Sequence, residues 1–309
     1  MKYTTGEAII KSLEIEGVTH AFGILGSNLL DVFDLVGRSP KMKYFGTRHE
    51  ETASQMAHGF TRASGVMSIC LVQSGSGTAN LTSGFATALR MHAPILGMAG
   101  GPGNGIVDDN GRHEFDQVAL MRPVTKWSDR VPSAERMPEY MQRAFRIANT
   151  APKGPVFLEV PSDVLKGEFE WEPPASKMDY RAKYEAEVSS EAIEEVASLI
   201  ASAERPIFIV GQGGEDEGAW KDLAAISEGS HIPLCHSFGH NTAIPPTAPL
   251  SVGGIGRRGS KAAQRLLSES DLVVVVGSRL QRYTTIAYYG FSYWPKNAKV
   301  IQVNPDPFT

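Results

Sequence analysis

The chain has 309 residues, 42% of them hydrophobic and 21% charged, with a formal net charge of −4. That length accommodates two domains with cores of their own, and the composition is that of an ordinary globular protein. The weak negative charge argues against nucleic acid or an anionic membrane as a partner.

Thr5–Gly17 reads as a helix, capped by Thr5 and ended by Gly17. His20–Ile24 is a strand, Gly26-Ser27-Asn28 a strand-to-helix turn, Leu29–Val36 a helix and Lys43–Gly46 a strand. The opening MKYTTGEAII has no charged-then-apolar leader pattern, and no run of eighteen apolar residues occurs, so a cytoplasmic location is expected. The segment RHEETASQMAHGFTRASG, residues 48–65, predicts the next helix: Glu50, Ala53, Ala57 and Thr61 share one face made almost entirely of small residues. On the residues alone, Glu50 is a first-turn acid complementing the helix dipole.

Ser68–Gln73 is a strand in which Cys70 is a small buried hydrophobe. Cys235, the other cysteine, stands far away, and neither belongs to a CxxC pair, so no disulfide framework or zinc site is indicated. The loop SGSGTANLTSG follows, with glycines at 75 and 77 that permit close backbone approach and Asn80 placed to begin a helix finishing at Ala86–His92. Pro94–Gly101 is a strand, Gly103–Gly111 a glycine-rich loop, Met137–Asn149 a helix and Pro155–Val160 a strand.

Gly167–Glu187 lacks an apolar period and reads as a linker, giving a first domain over 1–165, a connection over 166–188 and a second domain over 189–309. The second repeats the α/β alternation: helix Ser190–Ser202, strand Pro206–Gly211, helix Gly218–Ser227, strand Ile232–His236. The run Asp271–Gly277 reads as a central parallel strand buried on both faces, and Ala298–Val303 as another strand. The expected architecture is α/β, two doubly wound parallel-sheet domains. Arg257, Arg258 and Lys261 form a basic cluster that reads equally as a solvated loop or an anion contact.

His49-Glu50, eight residues and then GFTRASG resembles the pyrimidine-domain motif of thiamine-diphosphate (ThDP) enzymes of the acetolactate synthase type. HAFGILGS, the GxGxxN loop after Ser68–Gln73 and the segment GPVFLEVPSDV are similar to neighbouring parts of that domain, and RPIFIVGQG, ESDLVVVVGSRL and AKVIQVNPDP to the family's central domain. The resemblance implies that Glu50 accepts a hydrogen bond from N1′ of the aminopyrimidine, favouring the imino tautomer that starts catalysis. It implies further cofactor contacts from Gly26, Ser27, Gln73, Gly75, Gly77 and Asn80. Counting back from Thr125-Lys126 sets Arg112-His113-Glu114 on the family's substrate-facing Phe-Gln-Glu triplet, which makes His113 a candidate proton donor. In the central domain Gly211, Gly213, Gly277 and Arg279 fall where some members hold FAD or another adenine nucleotide.

The family's third domain, with the GDG…N motif for Mg²⁺ and the diphosphate, has no counterpart before NPDPFT, so the resemblance implies a large part of an enzyme with Mg²⁺ bound elsewhere and no metal site of its own. The expected activity is decarboxylation of a 2-oxo acid and transfer of the acyl carbanion, as in acetolactate synthase. The alternatives are a 2-oxo acid decarboxylase, a sulfoacetaldehyde acetyltransferase-like enzyme, or a non-catalytic nucleotide-binding or oligomerisation protein. Expected partners are a second copy, in a dimer or tetramer, or a separate diphosphate-domain subunit.

Overall fold

The computed structural model describes residues 1–111, 113–181, 187–216, 219–286 and 292–304. It contains two compact units, Met1–Tyr184 and Glu185–Thr309.

In the first unit a six-stranded, all-parallel sheet has the order β3 (Lys43–Gly46), β2 (His20–Gly23), β4 (Ser68–Val72), β5 (Ile95–Gly101), β7 (Val156–Pro161), β6 (Trp127–Arg130). Helices cover both faces. Alternation along β4 decides which core each residue joins: Ile69 and Leu71 pack with α1 (Thr5–Glu16), α2 (Leu30–Arg38) and α6 (Met137–Asn149), while Cys70 and Val72 pack with α3 (Glu50–Ser64) and α4 (Ser76–Arg90). The predicted small face of α3 is the buried one: Glu50, Ala53, Ala57 and Thr61 all face inward, and Ser54 with them. Gly84 of α4 meets Ser54 so closely that a Cβ there would stand 2.5 Å from Ser54 Cβ.

Three expectations need correction. The cap of α1 is Thr4, not Thr5; it forms a reciprocal capping box with Glu7 and leaves Thr5 Oγ1 to donate to the Val164 carbonyl (2.7 Å). Helix α4 starts at Ser76, four residues before Asn80, because Gly75 adopts φ 74° and turns the chain directly out of β4. Residues 166–181 are not a free linker. Strand β8 (Glu168–Glu170) pairs antiparallel with β1 (Lys2–Thr4), and the buried Glu16 carboxylate accepts from Tyr180 Oη and the Arg181 guanidinium. Residues 182–186 of that stretch lie outside the described residues, as does Gly218 at the expected start of a helix observed over Trp220–Ser230.

The second unit is a five-stranded parallel sheet ordered β11 (Ser251–Gly254), β10 (Leu234–His236), β9 (Pro206–Val210), β12 (Leu272–Val276), β13 (Lys299–Val303). The LVVVV run of β12 is central, with Val273 and Val275 in one core and Val274 in the other.

Candidate functional site

Doubly wound sheets bind ligands where the chain leaves two adjacent strands in opposite directions, beyond their carboxyl ends. In the first unit that point lies between β2, whose continuation runs outward to β3, and β4, whose continuation runs to β5 on the other side. The turns after these strands touch. A Cβ on Gly26 would lie 2.7 Å from Gln73 Cα and 2.9 Å from Gln73 N, so only glycine lets the two backbones meet. Polar groups cluster at this contact. Ser27 Oγ reaches Gln73 Oε1 (3.4 Å) and donates to Asn28 Oδ1 (3.1 Å), and Asn28 Nδ2 and Gln73 Nε2 both donate to Ser74 Oγ (3.1 and 3.2 Å).

Glu50 faces the same place. His49 caps α3 through its ring, Nδ1 accepting from the Glu51 amide (3.2 Å), which relieves Glu50 of the capping role that its position suggests. Glu51 turns outward to accept from Ser83 Oγ (2.8 Å). Glu50 is 9% exposed; its Oε2 accepts from Asn80 Nδ2 (2.9 Å), and among the described residues Oε1 takes no hydrogen bond. A Cβ on Gly77 would stand 3.3 Å from that Oε1. The structure therefore brings together Glu50, Gly77 and Asn80, and beside them Gly26, Ser27, Gln73 and Gly75.

His113 sits at the Gly75 turn in the left-handed region (φ 71°), its backbone so close that a Cβ on Gly75 would lie 2.5 Å from the His113 carbonyl oxygen. Glu114, the next residue, is engaged within its own loop. Its carboxylate accepts from the Asp108 and Gly111 amides (2.7 and 2.8 Å) and ties down its own loop. Arg112 lies outside the described residues.

The sequence reading missed Gln117, the first residue of α5 (Gln117–Met121) and only 2% exposed. Its Oε1 accepts from the Gly75 amide (3.2 Å) and Thr78 Oγ1 (2.7 Å), and its Nε2 donates to the Gly100 carbonyl (2.7 Å). Behind it, burial pushes the Glu159 carboxyl up, against the pull of the Arg130 guanidinium paired with it. The one local hint was a glutamine directly after a capping residue and ahead of an apolar run: the Asp116 carboxylate accepts from the Ala119 amide (2.8 Å).

In the second unit the corresponding switch point lies between β9 and β12. Gly211, Gly213 and Gly277 converge there: the Gly211 amide donates to the Val276 carbonyl (2.8 Å) and the Gly213 amide to that of Gly277 (3.0 Å). A Cβ on Gly211 would meet the Gly277 oxygen at 2.5 Å, so contact between these segments by itself demands the glycines. Arg279 follows two residues beyond. Among the described residues no three His, Cys, Asp or Glu side chains are placed to hold a metal ion, and no helix is long and apolar enough to cross a membrane.

A parallel sheet covered by helices on both faces, with a buried carboxylate beside its switch point, places this unit in the doubly wound class, whose ligands sit at that point. Comparison with known proteins makes this specific. Residues 3–120 match the N-terminal TPP binding domain of thiamine pyrophosphate enzymes, and residues 193–309 match their central domain. The chain belongs to the thiamine pyrophosphate enzyme family, of the acetolactate synthase type, and carries these two domains of it. It is 35% identical over 307 residues to a sulfoacetaldehyde acetyltransferase of Rhodobacter capsulatus, covering 99% of this chain and 51% of that protein. It is 34% identical over 306 residues to a probable acetolactate synthase large subunit of Methanocaldococcus jannaschii, covering 97% and 51%. The fold matches the thiamine diphosphate-dependent 4-hydroxybenzoylformate decarboxylase of Rhodococcus jostii RHA1 with a TM-score of 0.82 at 25% identity, over 99% of this chain and 57% of that one. The chain thus spans about half the length of the curated relatives it matches.

Proposed function

We propose that this chain supplies the pyrimidine side of a ThDP-dependent enzyme that cleaves a 2-oxo acid and transfers the resulting acyl unit to an acceptor. The observation that carries this reading is the Glu50 carboxylate: buried, held at Oε2 by Asn80, with Oε1 open beside a residue that has no side chain. Such a group can take a ring N–H of the aminopyrimidine. ThDP bound there would supply the electron sink that stabilises a carbanion. Asn80 fixes the carboxylate so that one oxygen alone is presented, and Gly77 keeps that oxygen uncovered. His113, exposed at the Gly75 turn, is placed to hand a proton to the substrate end. Mg²⁺ and the diphosphate would be held by a diphosphate-binding domain outside these residues, and a second copy or a separate subunit would complete the site.

Relatives named for making acetolactate and for transferring an acetyl group support transfer to an acceptor rather than simple decarboxylation. The 35% identity to an enzyme named for sulfoacetaldehyde favours, as a second reading, that aldehyde as the donor. The test is Glu50→Gln in the polypeptide that contains this chain, assayed with ThDP and Mg²⁺ on pyruvate and on sulfoacetaldehyde. Turnover is expected to fall by about 100-fold or more with the circular dichroism unchanged, and the donor consumed by the wild type selects between the two readings. Undiminished turnover in the variant would sink both.

A further inference from the structure

We infer that Gln117 is a positioning residue that fixes the start of α4 and, through it, the hydrogen bond between Asn80 and Glu50. This deepens the proposed function and rests on that reading for its catalytic meaning, but not for its geometry. Helix α4 has no side-chain cap of its own: Gly75, at the N-cap position, has none to offer. Gln117, forty-two residues away, holds the helix start in a different way. One carboxamide oxygen takes both the Gly75 amide and the hydroxyl of Thr78, two donors in the first turn that are buried and otherwise unmatched among the described residues. The carboxamide nitrogen is anchored on the Gly100 carbonyl at the end of β5, so the helix start is referenced to the sheet rather than to the loop around it. Gly75 itself, at φ 74°, contributes no side chain to hold the turn. Two residues past Gly75, Gly77 lies against Glu50 Oε1, and five past it Asn80 holds Oε2. A rotation or one-residue fraying of this first turn moves both off the carboxylate.

The test needs no cofactor, so its failure is separate from failure of the proposed function. In the intact protein, hydrogen exchange at the Gly75 amide and the two side-chain amide proton resonances of Asn80 are followed by NMR in the wild type and in Gln117→Met, which keeps length and volume without hydrogen bonding. In the wild type the Gly75 amide is expected to be protected like its neighbours in β4, a measurement that stands even if the variant does not fold. In Gln117→Met its exchange rises about tenfold or more, and the Asn80 pair loses the downfield displacement that a carboxylate partner imposes, while amides in the opposite core around α1 and α6 keep their rates. Loop-like exchange of Gly75 in the wild type overturns the inference. So does a folded Gln117→Met protein with the Asn80 resonances unmoved.

Discussion

Asn80 Nδ2 donates to Glu50 Oε2 across 2.9 Å, joining the second turn of one helix to the first residue of another. The pair is what turns a helix-entry glutamate into a directed acceptor. A hydrogen bond to a charged group contributes about 1.5–3 kcal/mol. Asn80→Ala is accordingly expected to lower the urea midpoint and to reduce ThDP-dependent turnover of the complete enzyme about tenfold or more. Asn80→Asp sets two carboxylates together and is expected to be the worse of the two at neutral pH. Equal midpoints for the two variants would contradict the contact.

The same chemical change has opposite signs at two glycines of the α3–α4 pair. Gly59 is exposed in α3 with open space where a Cβ would go, and Gly59→Ala is expected to stabilise by about 0.5–1 kcal/mol. Gly84 is buried against Ser54, where an added methyl collides with both side chain and backbone, and Gly84→Ala is expected to destabilise by about 1–3 kcal/mol. Chemical denaturation of the two variants checks both signs at once.

Glu16 anchors the stretch that leads out of the first unit. Its side chain is 1% exposed and holds both Tyr180 and Arg181. Glu16→Ala leaves a largely buried guanidinium without its counter-charge, at a cost of about 3 kcal/mol, and is expected to open residues 177–181 to proteolysis. Trypsin cleavage at Arg181 no faster than in the wild type would show that the anchor does not hold that segment.

Lys126 closes the end of α6, its Nζ donating to the carbonyls of Ile147 (2.5 Å) and Thr150 (2.7 Å). Burial pushes its ammonium down from 10.5 to about 8. Between those values the unfolded chain keeps a proton that the folded chain has released, so unfolding free energy rises with pH across this window; below about 8 the charged form carries the full burial penalty. Lys126→Met is expected to flatten that rise by one proton, read from denaturation curves at pH values spanning the window. Identical slopes in the two proteins would refute it.

What the sequence determined here is what near neighbours determine. Spacing along residues 50–61 marked the face of α3 that packs inward, continuous apolar runs marked β4 and β12 as central strands, and the interval between Glu50 and Gly59 identified the family and, with it, the carboxylate. Periodicity of 3.6 or 2 residues is enough for such inferences because it fixes which side chains share a surface. What required the tertiary structure is every relationship across a long chain path. Gln117 reaches Gly75 only because β4 and β5 are neighbours in the sheet, Tyr180 and Arg181 reach Glu16 across more than 160 residues, and β8 becomes a strand only by pairing with β1. Glu114 makes the same point: alignment gives a residue's place along the chain, whereas its partners, the Asp108 and Gly111 amides, are set by how the loop folds back on itself. A buried polar side chain is defined by the donors and acceptors that surround it in space, and those are chosen by the topology of the sheet.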